Sequence, residues 1–169
     1  NEPAAQGQYE DAYSDLTIDR LRAHGIMPVP VLGGSWVTPH SKSDTKWPAW
    51  LLALSPRAWA GSYFWDEGQQ AFLVPDALWR THIRRMAERY QGKVTHWEVM
   101  NEPNIWMPVA SGQSTGATNY VPYLKSAAEE LRAVDPTVKI VGFCPTGDMG
   151  STSTVPFLRE GFAVHGLDY

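Results

Sequence analysis

The residues best suited to chemistry lie in one run, His96-Trp97-Glu98-Val99-Met100-Asn101-Glu102-Pro103-Asn104. Read as a strand entering a loop, its side chains alternate, so Glu98, Met100 and Glu102 share one face while Trp97 and Val99 share the other. If the first face points into an enclosed interior, Glu98 lies deep and Glu102 sits at the rim, one carboxylate placed for structure and one for proton transfer. Asn-Glu-Pro alone says little, because it also occurs at Asn1-Glu2-Pro3. The second copy is distinguished by the apolar-Glu-apolar strand behind it and by the Trp-bearing segment Asn104-Ile105-Trp106 ahead of it.

Competing chemistries find little footing. The chain has no G-x-G-x-x-G and no G-x-x-x-x-G-K, and Gly34-Ser35 is not followed by the glycine that G-x-S-x-G requires. His40, His82 and His165 stand at no ligand spacing, and the single Cys144 can form neither a thiolate zinc site nor an internal disulfide, so no metal and no cofactor is expected. With 14 basic and 18 acidic residues the net charge is −4, which leaves no basic field to collect phosphates, and nucleic acid is not an expected partner. No apolar run reaches the roughly 18 to 20 residues of a membrane span, and the first residues lack the basic and apolar regions of a signal peptide, so any export signal is expected to be gone. Localisation stays undecided.

The elements that must hold the run follow from periodicity. Tyr13, Leu16 and Leu21 suggest a helix with Gly25 just past its end. Residues 26 to 32 are continuously apolar and predict a strand buried on both faces, with Pro28 and Pro30 weakening its centre. Residues 33 to 75 form a long Trp-, Ser-, Gly- and Pro-rich segment, with a small helix expected around Pro48 to Leu54. Asp76, a candidate N-cap, opens a helix whose stripe is Trp79, Ile83, Met86 and Tyr90, stopped by Gly92. A strand from Val94 to Met100, a loop from Asn101 to Gly116, a helix from Asn119 to Val134, a strand from Val138 to Phe143 and a helix from Val155 to Val164 complete the series.

Strands alternating with helices call for a parallel sheet. The turns leading into strands are two or three residues long, whereas the segments after strands (33 to 75, 101 to 118, 144 to 153) are long and polar. Elaboration confined to the carboxyl ends of the strands is the signature of a (β/α)8 TIM barrel, shared in weaker form by doubly wound sheets. A barrel uses roughly 31 residues per unit, so 169 residues with such loops cannot supply eight units. The expected fold is thus α/β, a partial barrel with parallel strands, and residues 1–169 are read as a single incomplete catalytic domain. The remainder of the barrel would come from missing sequence or another chain, and the isolated chain is expected to be inactive.

The run Trp97-Glu-Val-Met-Asn-Glu-Pro-Asn104 resembles the fourth-strand signature of the clan of retaining (β/α)8-barrel glycoside hydrolases, most nearly family 39 and its relatives in family 5. Glu2-Pro3, Gly7, Tyr9, Asp15, Asp19 and His24-Gly25-Ile26 are similar to that clan's end of strand two, helix two and strand three, and Leu167-Asp168-Tyr169 resembles its start of strand six. The resemblance implies that Glu102 is the general acid/base and that Asn101 hydrogen-bonds the sugar 2-hydroxyl. It further implies a β-linked glycoside or polysaccharide as substrate and a nucleophilic Glu on a seventh strand outside this chain. Met100 departs from the residue family members often carry there.

A glycosidic oxygen leaves poorly until protonated, so such an acid must keep its proton near neutral pH, which apolar neighbours like Pro103 and Trp106 favour. Sugar rings stack on flat aromatics, which makes Trp36 and Trp106 the candidate platforms, while Trp47, Trp50 and Trp59 are read as pinning the long segment. Glu98 is expected to be a buried structural carboxylate with an Arg or His partner, His96 a core histidine or that partner, and Cys144 a small buried hydrophobe. Asp66 and Glu67 read as surface charges, and Asp148 as a cleft residue without supporting pattern. Two alternatives stand beside the hydrolase: a noncatalytic carbohydrate-binding barrel lacking the second carboxylate and, more distantly, a doubly wound α/β hydrolase or transferase.

Overall fold

The computed structural model describes residues 7–33, 76–107, 115–146 and 154–165. The first element, α1 (Ala12–Ala23), ends where Gly25 adopts a left-handed conformation at φ 71°, and its last carbonyls are met by Gly25 N–H (to Arg22 O, 2.9 Å) and Ile26 N–H (to Leu21 O, 2.9 Å). Gly92, at φ 73°, plays the same part after α2 (Asp76–Arg89). Asp76, expected as an N-cap, is the first helical residue; its carboxylate accepts from Ser126 Oγ at 2.6 Å and Arg80 Nε at 2.7 Å.

Three short strands, β1 (Val31–Leu32), β2 (His96–Val99) and β3 (Lys139–Val141), form a parallel sheet in the order β1-β2-β3. Val31 pairs with Glu98 and Glu98 with Val141, which places the three in one row on one face. Between β2 and β3 lie a short helix α3 (Pro103–Trp106) and the long α4 (Ala117–Val134), and α5 (Thr154–His165) follows β3. The alternation of helix and strand expected from the sequence is present, with α3 added inside what reads as loop. The small helix expected at residues 48 to 54 lies outside the described residues.

One sheet face carries the core. Leu32, Trp97 and Val99 are buried there with the α2 residues Trp79 and Ile83 and the α4 residues Tyr120, Leu124, Ala127 and Leu131. Each such aliphatic side chain taken from water contributes on the order of 1.5–3 kcal/mol. The opposite face is open, with Val29 47%, Val31 46% and Val141 37% exposed. The expectation that residues 26 to 32 are buried on both faces is therefore corrected: Ile26 and Met27 are both exposed, and from Met27 to Leu32 exposed residues alternate with buried or half-buried ones. Regular pairing there is confined to Val31–Leu32, because Pro28 and Pro30 have no N–H to give; Pro30 joins only as an acceptor, from Glu98 N–H at 3.0 Å.

Charges pin α1 to α2. Asp11 pairs with Arg85, Asp15 with Arg89, and Asp19 with Lys93 Nζ at 2.7 Å, while the Arg85 guanidinium lies 3.6 Å above the Tyr9 ring. The hydrogen-bonded Arg89 guanidinium holds the Asp15 carboxyl below the usual carboxylate range. Asp15 and Asp19, which carry part of the sequence resemblance, thus serve the helix–helix contact.

Candidate active site

The carboxyl ends of β2 and β3 depart from regular strand at the same level. Regular pairing stops at Val99 and Val141, and the residues that follow include Met100 at φ 59° and Phe143 at φ 52°, both left-handed without being glycine. Continuing the strand register puts these two opposite each other, since Glu98 faces Val141 and Asn101 bridges Cys144. The expected strand from Val94 to Met100 is accordingly shorter, as is that from Val138 to Phe143. The period-two rule that grouped Glu98, Met100 and Glu102 on one face does not extend past Val99.

Backbone bonds fix the departing segment on both sides. Met100 N–H donates to Leu32 O on β1 at 2.9 Å, and Glu102 N–H donates to Cys144 O at 2.9 Å. Glu102 itself is left-handed (φ 51°, ψ 46°) and caps α3 without a side-chain hydrogen bond to it, with the fully buried Pro103 at the first helical position. Asn101 and Glu102 are both half-buried, and no described residue hydrogen-bonds the Glu102 carboxylate. A carboxylate whose backbone is anchored to the segment leaving β3, while no described residue hydrogen-bonds its oxygens, is suited to meet a ligand.

Two further side chains hold this end of the sheet, and the sequence reading gave neither a role. Tyr120, buried on α4, donates its hydroxyl to Val99 O at 2.9 Å and accepts Phe143 N–H at 2.9 Å. Burial pushes its phenol well above the ordinary range, so it stays protonated and can donate. Asn104 accepts Thr146 N–H at 3.0 Å and donates to Thr154 Oγ1 at 3.4 Å, which ties the segment after β2 to the start of α5. The signal available for Tyr120 was a hydroxyl carried among the buried apolar residues Val121, Leu124, Ala127 and Leu131 of α4.

The remaining expectations divide. Glu98 was expected buried beside an Arg or His; it is half-buried and lies against Cys144 instead. Burial first, then the Glu98 charge, push the Cys144 thiol up to about 11. Cys144 is a half-buried free thiol rather than the buried hydrophobe expected. His96 Nδ1 meets Thr95 Oγ1 at 2.9 Å. Trp36 lies outside the described residues, as do Trp47, Trp50, Trp59, Asp66, Glu67, His40 and Asp148; Trp106 closes α3, with its side chain outside them. Among the described residues, no cluster of three or more His, Cys, Asp or Glu is arranged to hold a metal ion, and no helix is long and apolar enough to cross a membrane.

This geometry can be set beside known proteins. No family model and no curated protein matches the chain. Among solved structures, a family 39 glycoside hydrolase from the gut symbiont Bacteroides cellulosilyticus WH2 is 18% identical, with a TM-score of 0.54 over 93% of this chain and 27% of that one. The chain shares its fold with a glycoside hydrolase. A psychrophilic family 10 endo-beta-1,4-xylanase is also similar, at 20% identity and a TM-score of 0.47, over 82% of this chain and 40% of that one. The chain therefore spans well under half the length of either glycoside hydrolase. The family 39 likeness agrees with the resemblance carried by residues 97 to 104, and it supports the fold.

Proposed function

We propose that this chain is the acid/base-bearing part of a retaining glycoside hydrolase whose (β/α)8 barrel is completed by further sequence or another chain. The observation that carries the reading is Glu102 at the carboxyl edge of the central strand of a parallel sheet, its backbone anchored to a neighbouring strand and its carboxylate unclaimed by any described residue. Active sites of barrels lie at this edge. The open sheet face bearing Val29, Val31, Glu98 and Val141 is what a barrel interior presents before its other strands close over it.

In this reading Glu102 protonates the glycosidic oxygen as the bond to the anomeric carbon breaks, then takes the proton of the water that hydrolyses the glycosyl-enzyme intermediate. Asn101 holds the sugar 2-hydroxyl, and Trp36 and Trp106 offer stacking surfaces. The nucleophile is a second carboxylate about 5 to 5.5 Å from Glu102 on a strand outside this chain. The substrate is a β-linked glycoside or polysaccharide.

The test is Glu102→Gln in the complete catalytic domain. We expect kcat/KM on alkyl β-glycosides to fall by about 10² to 10⁴-fold while 2,4-dinitrophenyl β-glycosides, which leave without protonation, are largely spared and oligosaccharide binding persists. Equal activity of variant and parent on alkyl glycosides would remove the acid/base role, and binding without hydrolysis by the parent would favour a noncatalytic carbohydrate-binding barrel.

A further inference from the structure

The β2–β3 ladder is interrupted by a side chain from outside the sheet. Lys139 N–H donates to Thr95 O at 2.8 Å, and successive donors in a parallel ladder step by two residues on each strand. Phe143 N–H should therefore meet Val99 O, but both groups are bound to the Tyr120 hydroxyl instead, each at 2.9 Å. Two 2.9 Å legs meeting at a roughly tetrahedral oxygen put donor and acceptor roughly 4.7 Å apart, against 2.9 Å in a direct bond. The seam is opened by about 1.8 Å at that rung. Immediately beyond it come the left-handed Met100 and Phe143, then Asn101, and Glu102 whose N–H rejoins β3 at Cys144 O, at 2.9 Å.

We propose that Tyr120 is a positioning residue for Glu102, its hydroxyl acting as a spacer that splits the two strands and so sets where the Asn101-Glu102 segment leaves the sheet. This rests on the acid/base reading of Glu102. Tyr120 is held in place by edge-on contact with Phe143 (ring centroids 5.1 Å apart) and by Phe157 (5.7 Å), so the spacer cannot swing away. Without the hydroxyl, Phe143 N–H and Val99 O are free to bond directly. The strand ends then draw together, and a displacement near 1 Å at a catalytic group can cost about 10²-fold in rate.

The experiment compares Tyr120→Phe with Leu131→Val, a core substitution on the same helix that leaves the hydroxyl bonds alone, in the full-length protein. Amide resonances of Asn101 and Glu102 are expected to move in Tyr120→Phe well beyond their change in Leu131→Val. For hydrolysis, kcat/KM on alkyl β-glycosides is expected to fall about 10- to 100-fold in Tyr120→Phe, with 2,4-dinitrophenyl β-glycosides within about threefold, because only the former need a well-placed acid. Equal losses on both leaving groups, or Asn101 and Glu102 resonances that move no more than in Leu131→Val, would overturn the proposal. A parent protein that hydrolyses neither substrate would sink the hydrolase reading, and the resonance comparison would still decide whether the spacer sets the segment.

Discussion

Gly161→Ala tests whether the end of β3 is shaped by its packing against α5. A Cβ built at Gly161 falls 2.6 Å from Phe143 Cζ, about 0.8 Å inside ordinary carbon–carbon contact. The Phe143 ring has nowhere to retreat, since Tyr120, Phe157 and Phe162 surround it with centroids 5.1, 5.7 and 4.7 Å away. Overpacking of this kind costs about 1–3 kcal/mol, while replacing a helical glycine by alanine returns up to about 1 kcal/mol. The expected net loss is about 1–2 kcal/mol, or roughly 2–8 °C in Tm for a chain of this size. Thermal and urea unfolding of Gly161→Ala, Phe143→Leu and the double variant give the cycle. The pair should be coupled by at least about 1 kcal/mol, because the smaller leucine makes room for the methyl. A Gly161→Ala chain as stable as the parent, or strictly additive effects, would refute the close approach of Phe143 to α5.

Three other outcomes are expected. Burial, reinforced by nearby positive charge including Arg85, pushes the half-buried His82 down to about 4 from 6.5, with Asp11 opposing; the unfolded chain then binds the extra proton, so this stability is whole above pH 6.5 and is lost as pH falls towards 4. Urea titrations of the parent and of His82→Gln between pH 4 and 7 should show a flatter acid limb in the variant. The Cys144 thiol at about 11 carries about a hundredfold less thiolate at pH 8 than one at 9, so labelling by a disulfide reagent should be slow and should quicken in Glu98→Gln. Glu130, whose side chain is 11% exposed, pairs with Arg80 at 3.1 Å and Arg84 at 2.5 Å, whereas Glu129 is 63% exposed. Chemical denaturation should find Glu130→Ala about 2–3 kcal/mol less stable than the parent and Glu129→Ala within about 1 kcal/mol of it.

The sequence made helix ends and faces legible because glycine and apolar spacing encode them directly. Gly25 and Gly92 stand in the left-handed turns expected of them, and the stripe of Trp79, Ile83 and Tyr90 is buried. The order of strands and helices was legible for the same reason. The open face of β1 was not, because Val29 and Val31 are as apolar as residues with a covering layer, and apolar composition alone does not distinguish a covered face from an open one. The short helix α3 escaped because four residues carry no period, even though Pro103 supplies a starting signal. At the site, the position of Glu102 at a strand end was legible, but its neighbours were not: the contact of Cys144 with Glu98 joins residues 46 apart, and only the sheet register brings them together.

The left-handed residues explain why parity failed where it mattered. A non-glycine residue in that conformation costs about 1–2 kcal/mol, and neither Met100 nor Phe143 belongs to the types that tolerate it easily. Two such residues on adjacent strands at one level persist only if their surroundings overdetermine them. Tyr120 supplies the missing bonds on both sides of the seam, and Gly161 admits the displaced Phe143 ring. Met100 is held from the far side through its N–H to Leu32 O. The kink is thus built into three elements, α4, α5 and β1, and the residue it delivers at the end of the central strand is Glu102. A plain strand continuing in register would have needed none of this packing, and on the acid/base reading proposed above its cost goes to presenting Glu102 rather than to the sheet.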